Sequence, residues 1–272
     1  MSNDQIILKH YRQVAQANGL AATCTMDDPF VRESETKFIE KEIERFIAER
    51  PDQLSFKLMD VGCGNGYLLS YLTARFPTLN CVGVEFTPEL LELALSRNLE
   101  QAEFLAGDCR QPDFINGQFD IVITERVVIN LLVHKQQFRA LENIASKVLP
   151  GGIYLMVESF REPLAELNRA RSEMSLELIE QSYQNRYLSE GHIKAMRRFG
   201  LDELPVMTPS NYLSSHFYIT RVFHKAIRPS GGQVKFSRCS LFFRQALPPA
   251  IGNYSPILFR LFRKSKRAQA SL

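Results

Sequence analysis

The chain has 272 residues, 45% hydrophobic and 23% charged, with a formal net charge of +3. That size and balance suit one globular domain with elaborations and exclude a disordered or low-complexity polymer. No basic stretch followed by an apolar core stands at the amino terminus, and the most apolar segment, 121–133, is interrupted by Glu125 and Arg126, so neither export nor a membrane span is expected.

Residues 33–50 set Phe38, Ile39, Ile43, Phe46 and Ile47 on one helical face with Glu and Lys opposite, which predicts an amphipathic helix ended by Pro51. Short apolar runs then alternate with helical segments. The runs at 56–61, 80–85, 102–106, 119–124 and 152–158 read as strands. Between them, 67–76, 88–99 and 134–149 read as helices, the second capped by Thr87 with proline at its first position and the third ended by Pro150-Gly151-Gly152. This βαβ spacing predicts a mostly parallel sheet covered on both faces.

Beyond Glu158 the pattern loosens. Residues 163–182 and 189–199 read as helices, 201–207 as a sixth strand and 255–264 as a seventh. The long insertion at 209–255 holds the helix candidate SHFYITRVFHKAI and the breakers Pro229-Ser230-Gly231-Gly232 and Pro248-Pro249. Insertions of this size commonly cover a site or form an interface. No Asp or Glu follows Glu203, whereas eleven Lys and Arg residues do. That asymmetry suggests a face for an anionic partner, or a solvated basic surface with a frayed tail.

Cys24, Cys63, Cys81, Cys109 and Cys239 are odd in number and never spaced C-x-x-C, and His10, His134, His192, His216 and His224 show no ligand spacing. The expectation is a reducing cytoplasm, no disulfide framework and no metal.

The chemistry concentrates in Asp60-Val-Gly62-Cys-Gly64-Asn65-Gly66-Tyr67, where a buried strand runs through a glycine turn into a helix, a geometry that lets a ligand approach the main chain. Tyr67 stands where the dinucleotide fingerprint G-x-G-x-x-G needs Gly or Ala, which disfavours a dehydrogenase. Glu85 ends the second strand, where an acid can accept from both ribose hydroxyls, and Phe86 can offer its face to adenine. Asp108 and the Cys109 amide follow the third strand, suited to the adenine amino group and a ring nitrogen. Taken singly, Glu85 also suits a helix cap, Phe86 the core and Asp108 a turn; together, in order and at strand ends, they point to one nucleoside site.

These residues resemble the class I S-adenosylmethionine (SAM)-dependent methyltransferases over 56–158, including the Leu149–Gly152 LPGG turn. The resemblance implies an α/β, Rossmann-like, seven-stranded, mostly parallel sheet with helices on both faces, an N-terminal helical cap and an insertion before the last strand. The chain divides accordingly into a cap (1–50), a SAM-binding core (51–160), acceptor-side helices with strand six (161–208), the insertion (209–255), the last strand (256–264) and a basic tail (265–272). SAM is the implied cofactor and S-adenosylhomocysteine (SAH) the product, held by Asp60, Gly62, Gly64, Asn65, Gly66, Glu85, Phe86, Asp108, Cys109 and Glu125. The stretches 25–35, 125–131 and 251–264 are similar to bacterial methyltransferases of surface-glycan and secondary-metabolite pathways.

Methyl transfer is an in-line displacement that needs a base only for a poor nucleophile. Candidates for that base are Glu125, His134 and Glu158; Arg126 could bind an anionic acceptor or pair with Glu125. Residues 183–187 are a candidate acceptor wall, and Met26, Asp28 and Arg32 candidates to close the cofactor from the N-terminal side. The expected acceptor is a small molecule or glycan-linked group methylated at oxygen, with peripheral contact to an anionic membrane through the basic C-terminus. Alternatives are an RNA or protein methyltransferase, against which the absence of an N-P-P-Y-type tetrad after strand four weighs, and a non-catalytic SAM-binding scaffold.

Overall fold

The computed structural model describes residues 2–227 and 237–266. Two helices come first. Helix α1 (Asn3–Asn18) starts with a reciprocal capping box between Ser2 and Gln5, and α2 (Pro29–Ala48) starts at Asp28, whose carboxylate accepts from the amides of Phe30 and Val31. The α2 start therefore lies four residues ahead of the expected one, because the Asp28-Pro29 cap outweighs the polar run after it.

The sheet then builds as expected: β1 (Phe56–Val61), α3 (Tyr67–Arg75), β2 (Leu79–Glu85), α4 (Pro88–Leu95), β3 (Ala102–Ala106), β4 (Phe119–Glu125), α5 (His134–Ser146), β5 (Val148–Ser159), α6 (Arg161–Glu173), α7 (Glu190–Arg198), β6 (Leu201–Leu204) and β7 (Ile257–Lys264). The strand order is β3-β2-β1-β4-β5-β7-β6, with β7 antiparallel to both of its neighbours. Side chains alternate across it with period two. Leu58, Ile121, Ile123, Ile153, Leu155 and Val157 face the core shared with α2, α3 and α6; Met59, Val61, Val122, Tyr154 and Met156 face the core shared with α5 and α7. Phe38 of α2 stacks on Phe259 of β7 at 4.7 Å between ring centroids, pinning the N-terminal cap to the last strand.

Besides the α2 start, four boundaries differ from the sequence expectation, the first being the sixth strand, read over 201–207, which ends at Leu204 before Pro205. The segment 163–182 is helical only to Glu173: Asn168 bonds the N–H and C=O of Ile179, and Arg171 donates to the Glu177 carbonyl, so side chains pull the chain back on itself. Pro150-Gly151-Gly152 lies inside β5 instead of between helix and strand. A β-carbon on Gly152 would lie 2.8 Å from the Asp120 carbonyl, so glycine there lets β5 close on β4, where the register shifts. Helix α4 stops at Leu95, short of 99, and Asn98 adopts the left-handed conformation that turns the chain away.

The insertion forms α8 (Ser214–Tyr218), a π-helical turn at Ile219–Phe223, α9 (His224–Ile227) and α10 (Arg238–Ala246). It docks on the cap: His216 Nε2 lies 2.8 Å from Asp28 Oδ2. The Pro229–Gly232 breaker and tail residues 267–272 lie outside the described residues. Several of the C-terminal cations engage groups within the fold: Arg221 reaches Asp28, Arg260 pairs with Glu190 and Glu203, Arg263 pairs with Glu49, and Lys264 donates to two backbone carbonyls. No helix among the described residues is long and apolar enough to cross a membrane.

Candidate active site

At the carboxyl ends of β1, β2, β3 and β4 a cleft opens, the position where ligands bind in open α/β sheets. It is lined by Gly62, Gly64, Glu85, Phe86, Asp108, Cys109, Glu125 and Arg126 from the strand ends, and by Ile7 and Tyr11 of α1 from above. The cleft holds about 820 Å³ including the space open to solvent, a cofactor-sized volume. A narrower hollow adjoins it and shares Thr25, Gly62, Gly64 and Glu125, adding Asp60, Asn65 and Arg32.

The glycine turn is built for close approach. Gly62 and Gly64 adopt φ of +69° and +57°, and a β-carbon on Gly62 would sit 2.5 Å from Val127. Glu85, buried at the end of β2, splits its carboxylate: Oε2 accepts from the Gly64 amide at 2.9 Å and Oε1 from the Thr87 amide at 2.8 Å. One carboxylate thus ties the glycine turn to the start of α4, while burial pushes its carboxyl up and these amides pull it back. Asp60 lies beneath the turn, 2% exposed, its carboxyl held well above the usual range by burial and by the charges of Glu125 and Glu85.

Asp108 is gripped by Arg110, whose Nε lies 2.9 Å from both carboxylate oxygens and whose guanidinium reaches on to Asp4 of α1. The same guanidinium lies 5.3 Å from the Phe86 ring centroid. The adenine-side candidates are therefore brought together, and Arg110, absent from the sequence reading, orients them. Its signal was available only as an arginine two residues beyond the acidic turn.

At the other end of the cleft lies a buried four-charge cluster. Arg32 Nη1 sits 2.7 Å from Glu125 Oε2, and Arg126, at φ of +59°, pairs with Glu35 of α2. Burial pushes the Glu125 carboxyl up, but Arg32 and Arg126 more than offset this and hold it below the usual range. Burial raises Glu35 instead. Glu125 lines the cleft, and its Oε1, 3.9 Å from Arg126 Nη1, is buried without a hydrogen-bond partner among the described residues. Glu35 was missed in the sequence because a glutamate inside an amphipathic helix reads as solvent-facing.

Several candidates occupy other places. Asn65 turns its side chain toward the carbonyls of Gly19 and Ala21, bracing the chain after α1. Gly66 lines neither hollow; its absent β-carbon makes room for Phe104 and Ala94, letting α3 pack. Glu158 accepts from the amides of Val127, Val128 and Ile129, so it anchors the turn after β4; burial raises its carboxyl to about 7. His134 lies in a separate groove with Tyr183, Asn185 and Arg186, and Tyr187 packs against the core. Of the N-terminal trio, Arg32 reaches the hollow, whereas Met26 packs against the core and Asp28 caps α2.

The donor set fits SAM. A glycine turn without side chains, a ribose-height carboxylate, an aromatic face and a buried carboxylate oxygen that accepts no hydrogen bond among the described residues match a nucleoside joined to a cationic amino acid. Among the described residues no group of His, Cys, Asp and Glu is arranged to hold a metal ion.

Residues 58–152 match the family described as "Methyltransferase domain". The trans-aconitate 2-methyltransferase of Deinococcus radiodurans is 26% identical over 113 residues, 42% of this chain and 40% of that protein. The fatty-acid O-methyltransferase of Mycolicibacterium smegmatis is 26% identical over 136 residues, 49% of this chain and 48% of that protein. The chain thus spans less than half the length of these curated relatives, and matches of similar extent include a tRNA and a release-factor methyltransferase. In fold, the chain is similar to magnesium protoporphyrin IX methyltransferase from Synechocystis PCC 6803, solved with bound SAH, at a TM-score of 0.54 and 12% identity over 86% of this chain and 85% of that one. The matched segment is thus a methyltransferase domain, and the seven-stranded sheet whose last strand runs antiparallel is the Rossmann-like fold of the class I SAM-dependent methyltransferases.

Proposed function

We propose that the chain transfers a methyl group from SAM to an anionic or readily ionised oxygen of a small-molecule or glycan-linked acceptor, leaving SAH. The observation that carries the transfer reading is the single cleft in which Glu85, the Gly62–Gly64 turn and the Asp108–Arg110 pair converge. In it, Glu85 would take the ribose hydroxyls, Phe86 and Asp108 the adenine, and Glu125 Oε1 the ammonium group. SAM supplies an electrophilic methyl group. The chain's own contribution is alignment and the exclusion of water by Ile7 and Tyr11 of α1.

The choice of an anionic oxygen follows from the scarcity of bases in this cleft. Glu125 is held in its ion pair with Arg32, Glu158 is occupied by three amides, and burial keeps the Tyr11 hydroxyl protonated. An oxygen that already bears charge attacks unaided. Two relatives, the trans-aconitate 2-methyltransferase and the fatty-acid O-methyltransferase, support this class. The five free thiols among the described residues fit a reducing, cytoplasmic setting.

The test is transfer of labelled methyl from SAM into separated fractions of small molecules, lipid-linked glycans, RNA and protein. Label in the first two, lost with Glu85→Ala, supports the reading. Label in RNA or protein overturns the acceptor class, and SAM binding with no labelled fraction would favour a scaffold.

A further inference from the structure

We infer that the groove lined by His134, Arg161, Gln181, Tyr183, Asn185 and Arg186 is a second binding site, for a phosphate or diphosphate group carried by the acceptor; its acceptor role rests on the methyltransferase reading above. The groove lies beside the cofactor cleft. Leu131 lines the cleft and Leu132 the groove, and the Arg186 amide donates to the Ile129 carbonyl at 2.7 Å in the turn after β4. Gln137 donates to the Arg186 carbonyl at 2.6 Å, fixing the far wall to α5.

Its charge is one-sided. No Asp or Glu lines it, and among the described residues neither Arg161 nor Arg186 makes an ion pair or a side-chain hydrogen bond. Arg32, Arg110, Arg126, Arg260 and Arg263, by contrast, all pair with carboxylates. The acid beside Arg161, Glu162, instead accepts from the Glu190 amide at the start of α7. Helices α5 and α6, each 13 residues long, begin at His134 and Arg161 with no side-chain cap, so their positive ends add to the field of the groove. Unpaired guanidinium forks and the Asn185 amide match the several oxygens of a phosphoryl group, while His134, whose Nδ1 lies 3.1 Å from Gln137, and Tyr183, whose hydroxyl lies 3.1 Å from His10, complete the wall. A groove of about 750 Å³, open solvent included, exceeds what a lone carboxylate would fill.

Calorimetric titration of inorganic pyrophosphate and, separately, of SAH into the wild type and the Arg161→Ala/Arg186→Ala double variant tests this. Both arginines are exposed, so the double variant retains the fold, and circular dichroism checks it. Pyrophosphate affinity should fall at least about tenfold in the double variant, with SAH affinity unchanged and Arg198→Ala behaving as wild type. Pyrophosphate that does not bind, or that binds the double variant undiminished, overturns the proposal while leaving SAH binding intact. SAH that fails to bind the wild type overturns the methyltransferase reading, and with it the acceptor role of the groove.

Discussion

Arg126 of the turn after β4 is ion-paired with Glu35 in the middle of α2; Glu35 is fully buried and Arg126 nearly so. The pair joins the N-terminal cap to the strand end that borders the cleft. Breaking a buried pair from one side leaves an uncompensated charge. Glu35→Ala should therefore destabilise the protein by about 3–5 kcal/mol in urea unfolding. The Glu35→Ala/Arg126→Ala double variant should lose clearly less than the sum of the singles; strict additivity would show that the pair is not coupled.

Glu158 makes stability depend on pH. Its carboxyl is raised to about 7 in the folded chain, because complete burial outweighs its three amide donors. The folded state thus binds the proton more tightly than the unfolded one. The resulting stability is full below the ordinary glutamate pKa and is lost as pH rises toward 7, a change of about 3 kcal/mol. Urea unfolding at pH 5 and 7.5 should show wild type losing stability over that interval and Glu158→Gln losing less. Equal slopes would show that Glu158 is not the group that titrates.

Gly62 tests the cofactor turn. Its φ of +69° and the 2.5 Å approach of Val127 to a β-carbon leave no room for a side chain. Gly62→Ala should cost about 1–3 kcal/mol in stability and weaken SAH binding. Wild-type thermal stability and SAH affinity in this variant would refute the turn's role.

Glu85 separates cofactor recognition from folding. With its bonds to Gly64 and Thr87 in mind, Glu85→Gln should keep part of the tie to the turn, yet lose the paired acceptance from ribose hydroxyls. Calorimetry should show SAH affinity reduced about tenfold with a melting temperature close to wild type, consistent with the weight of a charged hydrogen bond.

Strands β1 to β5, the glycine turn and the strand-end residues that line the cleft were legible because each leaves a local mark: an apolar run, a breaker, an acid at a fixed offset. Glu35, Arg32 and Arg110 were less so. Their function depends on partners 91, 93 and 106 positions away along the chain, and no periodicity encodes which distant charge a glutamate or arginine will meet. Asn65 was legible by position but not by contact: it lines the narrower hollow. It sits inside the signature, but its amide serves Gly19 and Ala21, a contact set by the path of the chain after α1. The end of α6 was misplaced for a related reason: Asn168 and Arg171, acceptable helix residues, bind backbone beyond the helix and stop it.

The position of β7 has a kinetic side. Leu201–Leu204 joins the sheet through β7, which reaches β5 by a connection spanning more than fifty residues from β6. Every strand that builds the cofactor cleft is complete by Ser159, so that half can assemble from neighbouring segments in the order they are made. The other half must wait for the last strand, and until β7 inserts, β5 presents a long apolar edge to solvent. Damage confined to 257–264 should therefore appear first as aggregation of newly made chains, although no residue there lines the cleft.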